Sequence, residues 1–248
     1  MNKKQFYNVI HNKASNSVDI DIYGAIISGG KDNKWDDTDF TLDDFKEKLD
    51  EIEKFDTINL NISSPGGSVF VASAMMSILQ MHKNRGVKVN AYIMGLAASA
   101  ASYLVMVADN IYMGKTAMLM IHKPLISSFF FTANATQLRK IAEELDNMED
   151  GILMNAYMMK ATKELNKDKL KDFIEKETWF SSDECQRYFN VELIEDEFEI
   201  AAKLNQDDID ILSKYRNTPQ IFRGVQRQNI NQTTNLQKQK IQLELDLI

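Results

Sequence analysis

Ser99 and His122 are the residues of this chain whose types and setting suit covalent chemistry. A serine hydroxyl is a weak nucleophile until a base takes its proton, and a histidine, titrating near neutral pH, is the usual base. The alternating run Val87, Val89, Ala91, Ile93 predicts a buried strand that turns at Gly95 and enters a helix of small residues near Ala97. Ser99 then falls in the helix's first turn, where unpaired N–H groups and the positive end of the dipole favour negative charge. Two short apolar runs follow, Asn110–Met113 and Ala117–Ile121, split by Gly114-Lys115, and the second delivers His122 at its end. Taken singly, the small residues also suit close helix packing, and the histidine a structural hydrogen bond. Together they are the two parts of an acyl-transfer site.

A third feature is the turn Ser63-Ser64-Pro65-Gly66-Gly67-Ser68. It reads in three ways: a plain loop between strand and helix, a phosphate cradle, or an oxyanion hole. The cradle lacks both the dinucleotide glycine pattern and a P-loop lysine. In an oxyanion hole, glycine lets a backbone N–H reach the reacting carbonyl unobstructed, and Gly67 would pair with the N–H of Ala100.

The elements around these residues alternate strand and helix. Val18–Tyr23 alternates apolar with acidic residues, as a half-exposed strand does. Thr41 with Asp44 resembles a capping box that opens a helix to about Glu53, with Leu42, Phe45 and Leu49 at helical spacing. Thr57–Ile62 reads as a strand, Val69–His82 as a helix closed by Lys83, Arg85 and Gly86. This rhythm predicts an α/β fold with a mostly parallel sheet built from βαβ units. Past Lys123-Pro124 come an apolar patch, Phe129-Phe130-Phe131, and one long helix from about Ala135 to Lys163 whose broad apolar face suits a subunit interface. Helices at Asn166–Lys176 and Asp183–Phe189 and an edge segment at Val191–Ile194 complete the pattern.

Composition narrows the class. The 248 residues carry 44% hydrophobic and 26% charged residues, which fits a globular protein with one sizeable domain. A formal charge of −7 argues against nucleic acid as a partner. No apolar run reaches bilayer length and the N-terminus lacks a signal-peptide core, so a cytoplasmic protein with no membrane partner is expected. The one cysteine, Cys185, excludes an intrachain disulfide and reads as a small buried hydrophobe. The three histidines lack metal-ligand spacing, His82 reads as a cation at a helix C-terminus, and no metal or other cofactor is expected.

In their order along the chain, Ser64-Pro65-Gly66-Gly67, Gly95-Leu96-Ala97-Ala98-Ser99-Ala100 and Met120-Ile121-His122-Lys123-Pro124 resemble the proteolytic subunit of the Clp protease. That family consists of serine peptidases of the crotonase-like fold, and the resemblance covers about residues 18–200. The spellings Gly95–Ser102 and Glu177-Thr178-Trp179 are closest to the Clp-like proteases of phages and prophages, whose role is cleavage of scaffold or capsid proteins in head maturation. The resemblance implies that Ser99 is the nucleophile and His122 the base, and that Gly67 and Ala100 donate to the oxyanion. An aspartate precedes an aromatic-Leu-Ser segment in cellular members. Laid on Thr178-Trp179-Phe180-Ser181, that pattern puts Glu177 in the acid's position, with Asp172 and Glu175 as alternatives.

The resemblance further implies that Ser68, Val69 and Leu125 hold a polypeptide substrate as an added strand. It implies a homo-oligomeric ring, a heptamer or a stacked pair, joined through the long helix. The N-terminus lacks a recognisable axial-loop segment of the kind that meets an unfolding ATPase, which puts that partnership in doubt. On this basis residues 1–17 form a polar lead-in, 18–204 the serine protease domain and 205–248 a flexible or scaffold-like tail. Within the tail, Gln226–Gln242 is rich in Gln and Asn and carries no acid. Two competing readings are a ring-forming assembly protein without activity and a crotonase-type acyl-CoA hydratase or thioesterase. Pairing of Ser99 with His122 favours the protease, since hydratases rely on carboxylates.

Overall fold

The computed structural model of the chain describes residues 9–12, 14–30, 34, 39–50, 52, 54–126, 132–195, 206–220 and 222. Strand β1 (Val9–Asn12) pairs antiparallel with β2 (Ser17–Ile22). The expected loose lead-in therefore contains a strand. Thr41 and Asp44 form the predicted capping box, with Thr41 N to Asp44 Oδ2 and Asp44 N to Thr41 Oγ1 both 3.1 Å, and open α1 (Leu42–Asp50). Strand β3 (Thr57–Ser64) buries every second side chain, Ile58, Leu60 and Ile62 among them. After the glycine turn, Ser68 caps α2 (Val69–Lys83), which sinks Val71, Ala72, Met75 and Leu79 into the core.

Strand β4 (Lys88–Ala98) is the axis of the sheet. The expected turn at Gly95 does not occur, because β4 changes partner there instead of ending. Its first half, Asn90–Ile93, pairs with β5 (Asn110–Gly114), and its last residues, Leu96–Ala98, pair with β6 (Met118–Ile121). The change is absorbed as a register shift against β3, where Ile62 faces Ile93 but Ser64 faces Ala97. At Gly95 a Cβ would lie 3.0 Å from Ser63 Oγ, so the glycine serves close approach. Helix α3 (Ala100–Leu104) and a 3₁₀ turn, Val105–Val107, connect β4 to β5.

The long helix predicted over Ala135–Lys163 is three pieces. Helix α4 (Ala135–Met148) buries no residue, a π turn spans Glu149–Leu153, and α5 (Met154–Met158) returns to the core through Tyr157. Gly151 lies within the π turn, where a residue of low helix propensity tolerates the irregular winding. Then come α6 (Lys167–Glu175), β7 (Thr178–Ser181) antiparallel to β6, α7 (Ser182–Tyr188) and β8 (Glu192–Ile194) parallel to β5.

The sheet runs β1-β2-β3-β4-β5-β8, with β6 on β4 and β7 on β6. Apart from β1 and β7 its pairings are parallel, which is the α/β architecture the sequence predicts. Residues beyond 204, expected to start a flexible tail, include α8 (Gln206–Ser213) and continue to Phe222 packed on the domain. The Phe129–Phe131 patch and Gln226–Gln242 lie outside the described residues. No described helix is long and apolar enough to cross a membrane. Because Leu60 is fully buried at the middle of β3, Leu60→Ala should cost about 2–5 kcal/mol, read as a lower denaturant midpoint with an unchanged slope.

Candidate active site

Strand register brings the site residues together. In the parallel pairing of β4 with β6, Ala98 faces Met120, so the residues just past the two strands become neighbours. Ser99 N donates to Met120 O at 2.9 Å. Ser99 is the residue before α3, not in its first turn as expected, and it adopts φ 52° and ψ −121°. Such a conformation is strained for a residue with a Cβ and recurs where a strand-to-helix turn presents a nucleophile. Hydrogen bonds hold it: the Ser99 carbonyl accepts from Ser102 Oγ at 2.7 Å and from Tyr103 N at 3.1 Å. Ser102 Oγ is in turn 2.8 Å from the hydroxyl of the buried Tyr157 on α5.

His122 Nε2 lies 2.7 Å from Ser99 Oγ. With Nε2 as acceptor, the imidazole is placed to take the hydroxyl proton. His122 is only 8% exposed, and that burial pushes its pKa down to about 4. The Glu177 charge and a backbone hydrogen bond at Lys123 oppose the shift, while Arg216 adds to it. The ring is therefore neutral, and a base, through the neutral pH range.

The three candidate acids separate clearly. Asp172 pairs with Lys176 at 2.7 Å and Glu175 with Lys123 at 2.5 Å, both on the solvent side. Glu177 is buried, precedes β7, and has φ 53°. Because Ile121 faces Thr178 in the β6/β7 pairing, His122 and Glu177 extend that register at one end of the two strands. The Glu177 oxygens accept from the backbone N–H groups of Arg216 at 2.8 Å and Asn217 at 2.6 Å. Its influence on His122 is electrostatic.

The glycine turn packs directly on the Ser99 elbow. Gly66 has φ +94°, and a Cβ there would stand 2.5 Å from the Ala98 carbonyl and 2.8 Å from Ser99 Cβ. Gly67, at φ +137°, would drive a Cβ into the Ile26 carbonyl. Only glycine fits both positions. Gly67 and Ala100 flank Ser99 on the wall of a cleft of about 1090 Å³. Ser68, Val69 and Leu125 line the same cleft. The Ser68 backbone is already engaged, its N–H on Ile26 O at 2.7 Å and its carbonyl on Ala72 N at 3.1 Å. Its contribution to the cleft is its side chain.

Against this geometry, a family model described as Clp protease matches residues 46–196. The chain belongs to the Clp protease family. No curated protein matches it. Family membership implies a peptidase, a hydrolase of peptide bonds. The matched span contains the glycine turn, Ser99, His122 and Glu177, and ends before α8.

Sequence reasoning missed the residues that brace this Clp-type site from a distance, namely Ser102, Tyr157 and the Tyr215–Asn217 stretch. For the last, the apolar spacing Ile209, Leu212, Tyr215 is a helical signal. His82, expected to be a cation, is partly buried beside Phe55 and its pKa is lowered by that burial and by Arg85. Among the described residues no cluster of His, Cys, Asp or Glu is arranged to hold a metal. Since the folded His122 resists protonation down to about pH 4 while an unfolded histidine titrates near 6.5, the unfolded chain binds more protons between those values. Stability should fall as pH drops through that window, and His122→Gln should flatten this part of the profile in denaturant titrations.

Proposed function

We propose that this chain is an endopeptidase in which Ser99 is the nucleophile, His122 the general base and Glu177 the acid that supports it. The observation that carries the reading is the 2.7 Å contact between Ser99 Oγ and His122 Nε2 at a strained strand-to-helix elbow. His122 takes the hydroxyl proton as Oγ attacks the peptide carbonyl, and the N–H groups of Gly67 and Ala100 receive the developing oxyanion. The imidazolium then protonates the leaving amine, an acyl-enzyme remains on Ser99, and water activated by His122 releases it. No cofactor takes part in this scheme. The crotonase-type hydratase reading finds less support, because the hydrogen-bonded pair at the elbow is a serine and a histidine, 2.7 Å apart.

The spellings around Ser99 and Glu177, similar to those of phage and prophage members, support a finer role in head maturation, with capsid or scaffold polypeptides as substrates in the host cytoplasm or within the prohead. Assembly into a ring would limit access to the cleft. What favours assembly is α4, which buries none of its residues and leaves Leu138 49% exposed on the face that carries Ile141 and Leu145.

The decisive experiment is mass-spectrometric labelling with a fluorophosphonate. One adduct is expected on Ser99, absent from Ser99→Ala and formed on the order of 10²–10⁴-fold more slowly in His122→Ala. A folded wild-type protein that takes no label would overturn the reading in favour of an assembly protein. In sedimentation, wild-type protein should run above monomer mass, and Leu138→Asp with Ile141→Asp should return it to monomer.

A further inference from the structure

Residues 206–222 lie beyond the span that matches the family model, yet they close one side of the site. Leu212 of α8 and Tyr215 pack with Leu96, Ala98 and Met120, on the strand ends that deliver Ser99 and His122. The Tyr215 ring lies 4.9 Å from the His122 ring, centroid to centroid, inclined by 55°. Its hydroxyl donates to the Pro65 carbonyl at 2.9 Å, at the head of the glycine turn. The next two peptide N–H groups, of Arg216 and Asn217, hold both oxygens of Glu177. The Asn217 amide adds a bond to Lys176 O at 2.6 Å, and Thr218 Oγ1 closes the turn onto Leu212 O at 2.7 Å.

A segment in this place is either a plug or a wall. A plug would fill the cleft or pull the catalytic pair apart. Here the cleft of about 1090 Å³ stays open beside Ser99, with Tyr215 as one of its sides, and the Ser99–His122 contact is intact. A carboxylate fixed by two peptide N–H groups is held in one orientation, which is what a histidine's supporting acid requires. An aromatic ring on the imidazole excludes water from the base.

We propose that residues 206–222 are a working wall of the active site, in which Tyr215 and the Arg216–Asn217 peptide are positioning residues. The tyrosine seats the His122 ring and the Pro65 turn, and the peptide anchors the Glu177 carboxylate. This rests on the serine peptidase reading above. The groups that face His122 are Ser99 at the β4–α3 junction, Glu177 before β7, Tyr215 and Arg216 from the wall, and the backbone of Lys123.

The test uses the full-length protein, with fluorophosphonate labelling of Ser99 and an NMR titration of His122. Tyr215→Ala should move the His122 midpoint up from about 4 toward 6.5 as water returns, with Tyr215→Phe, which keeps the ring, restoring a low midpoint. Asn217→Pro, which deletes the N–H bound to Glu177 Oε1, should slow labelling by on the order of tenfold or more. If Tyr215→Ala loses its cooperative melting transition, Asn217→Pro decides the matter through Glu177. Labelling that is unchanged or faster in Asn217→Pro, or an unmoved His122 midpoint in a folded Tyr215→Ala, overturns the wall. An unlabelled wild type overturns the peptidase reading instead, and the titration still reports on the wall.

Discussion

Pairing of β6 with β4 on one side and β7 on the other is the constraint on which the site depends. Ser99, His122 and Glu177 belong to three separate stretches, and no local interaction could hold them within reach of one another. The ladder bonds do it by register. Each strand stops within a residue of the same line, so the side chains just past the ends share one corner of the sheet. A slip of one residue in either pairing would turn His122 to the opposite face. The apolar side chains of Leu119 and Ile121, both fully buried, make such a slip costly.

Strain is concentrated where that corner is built. Ser99 and Glu177 both hold positive φ, and the turn opposite them uses two glycines at φ values that a side chain would forbid. These conformations persist because the surroundings over-determine them. Ser102 and Tyr157 hold the carbonyl of Ser99, while the Ile26 backbone holds the Gly66-Gly67 turn from the other side through Gly66 O at 2.8 Å. The same dense packing removes water from His122, so that the base is neutral well below its ordinary range.

Burial also accounts for how the acids divide. Asp172 and Glu175 are on a helix that offers lysines within reach, and each finds a partner in solvent. Exposed pairs of that sort contribute little. Glu177 lies where a carboxylate must have buried donors, and peptide N–H groups from a distant part of the chain supply them. One consequence is that the packed structure extends past the strand-helix pattern: the latter ends at β8, while packing goes on to Phe222.

The sequence by itself determined the mostly parallel α/β architecture, the capping box at Thr41, and the strands and helices between residues 17 and 83, because alternation and helical spacing are local signals of side-chain burial. It also singled out Ser99, His122 and the Gly66-Gly67 turn, since residue type and strand ends announce them. What it misjudged depends on partners far away in the chain. Gly95 reads as a turn, but β4 continues through it because a second strand, β6, is there to pair with. The helix from Ala135 reads as unbroken, but a π turn at Glu149–Leu153 redirects it so that Tyr157 can reach Ser102. Residues 206–222 read as tail because they lie beyond the family's catalytic region and run into a Gln- and Asn-rich stretch. Only the tertiary structure decided that Leu212 and Tyr215 have a surface to bury against and that Glu177 has its donors, since helical spacing marks an apolar face but not the distant segment that covers it.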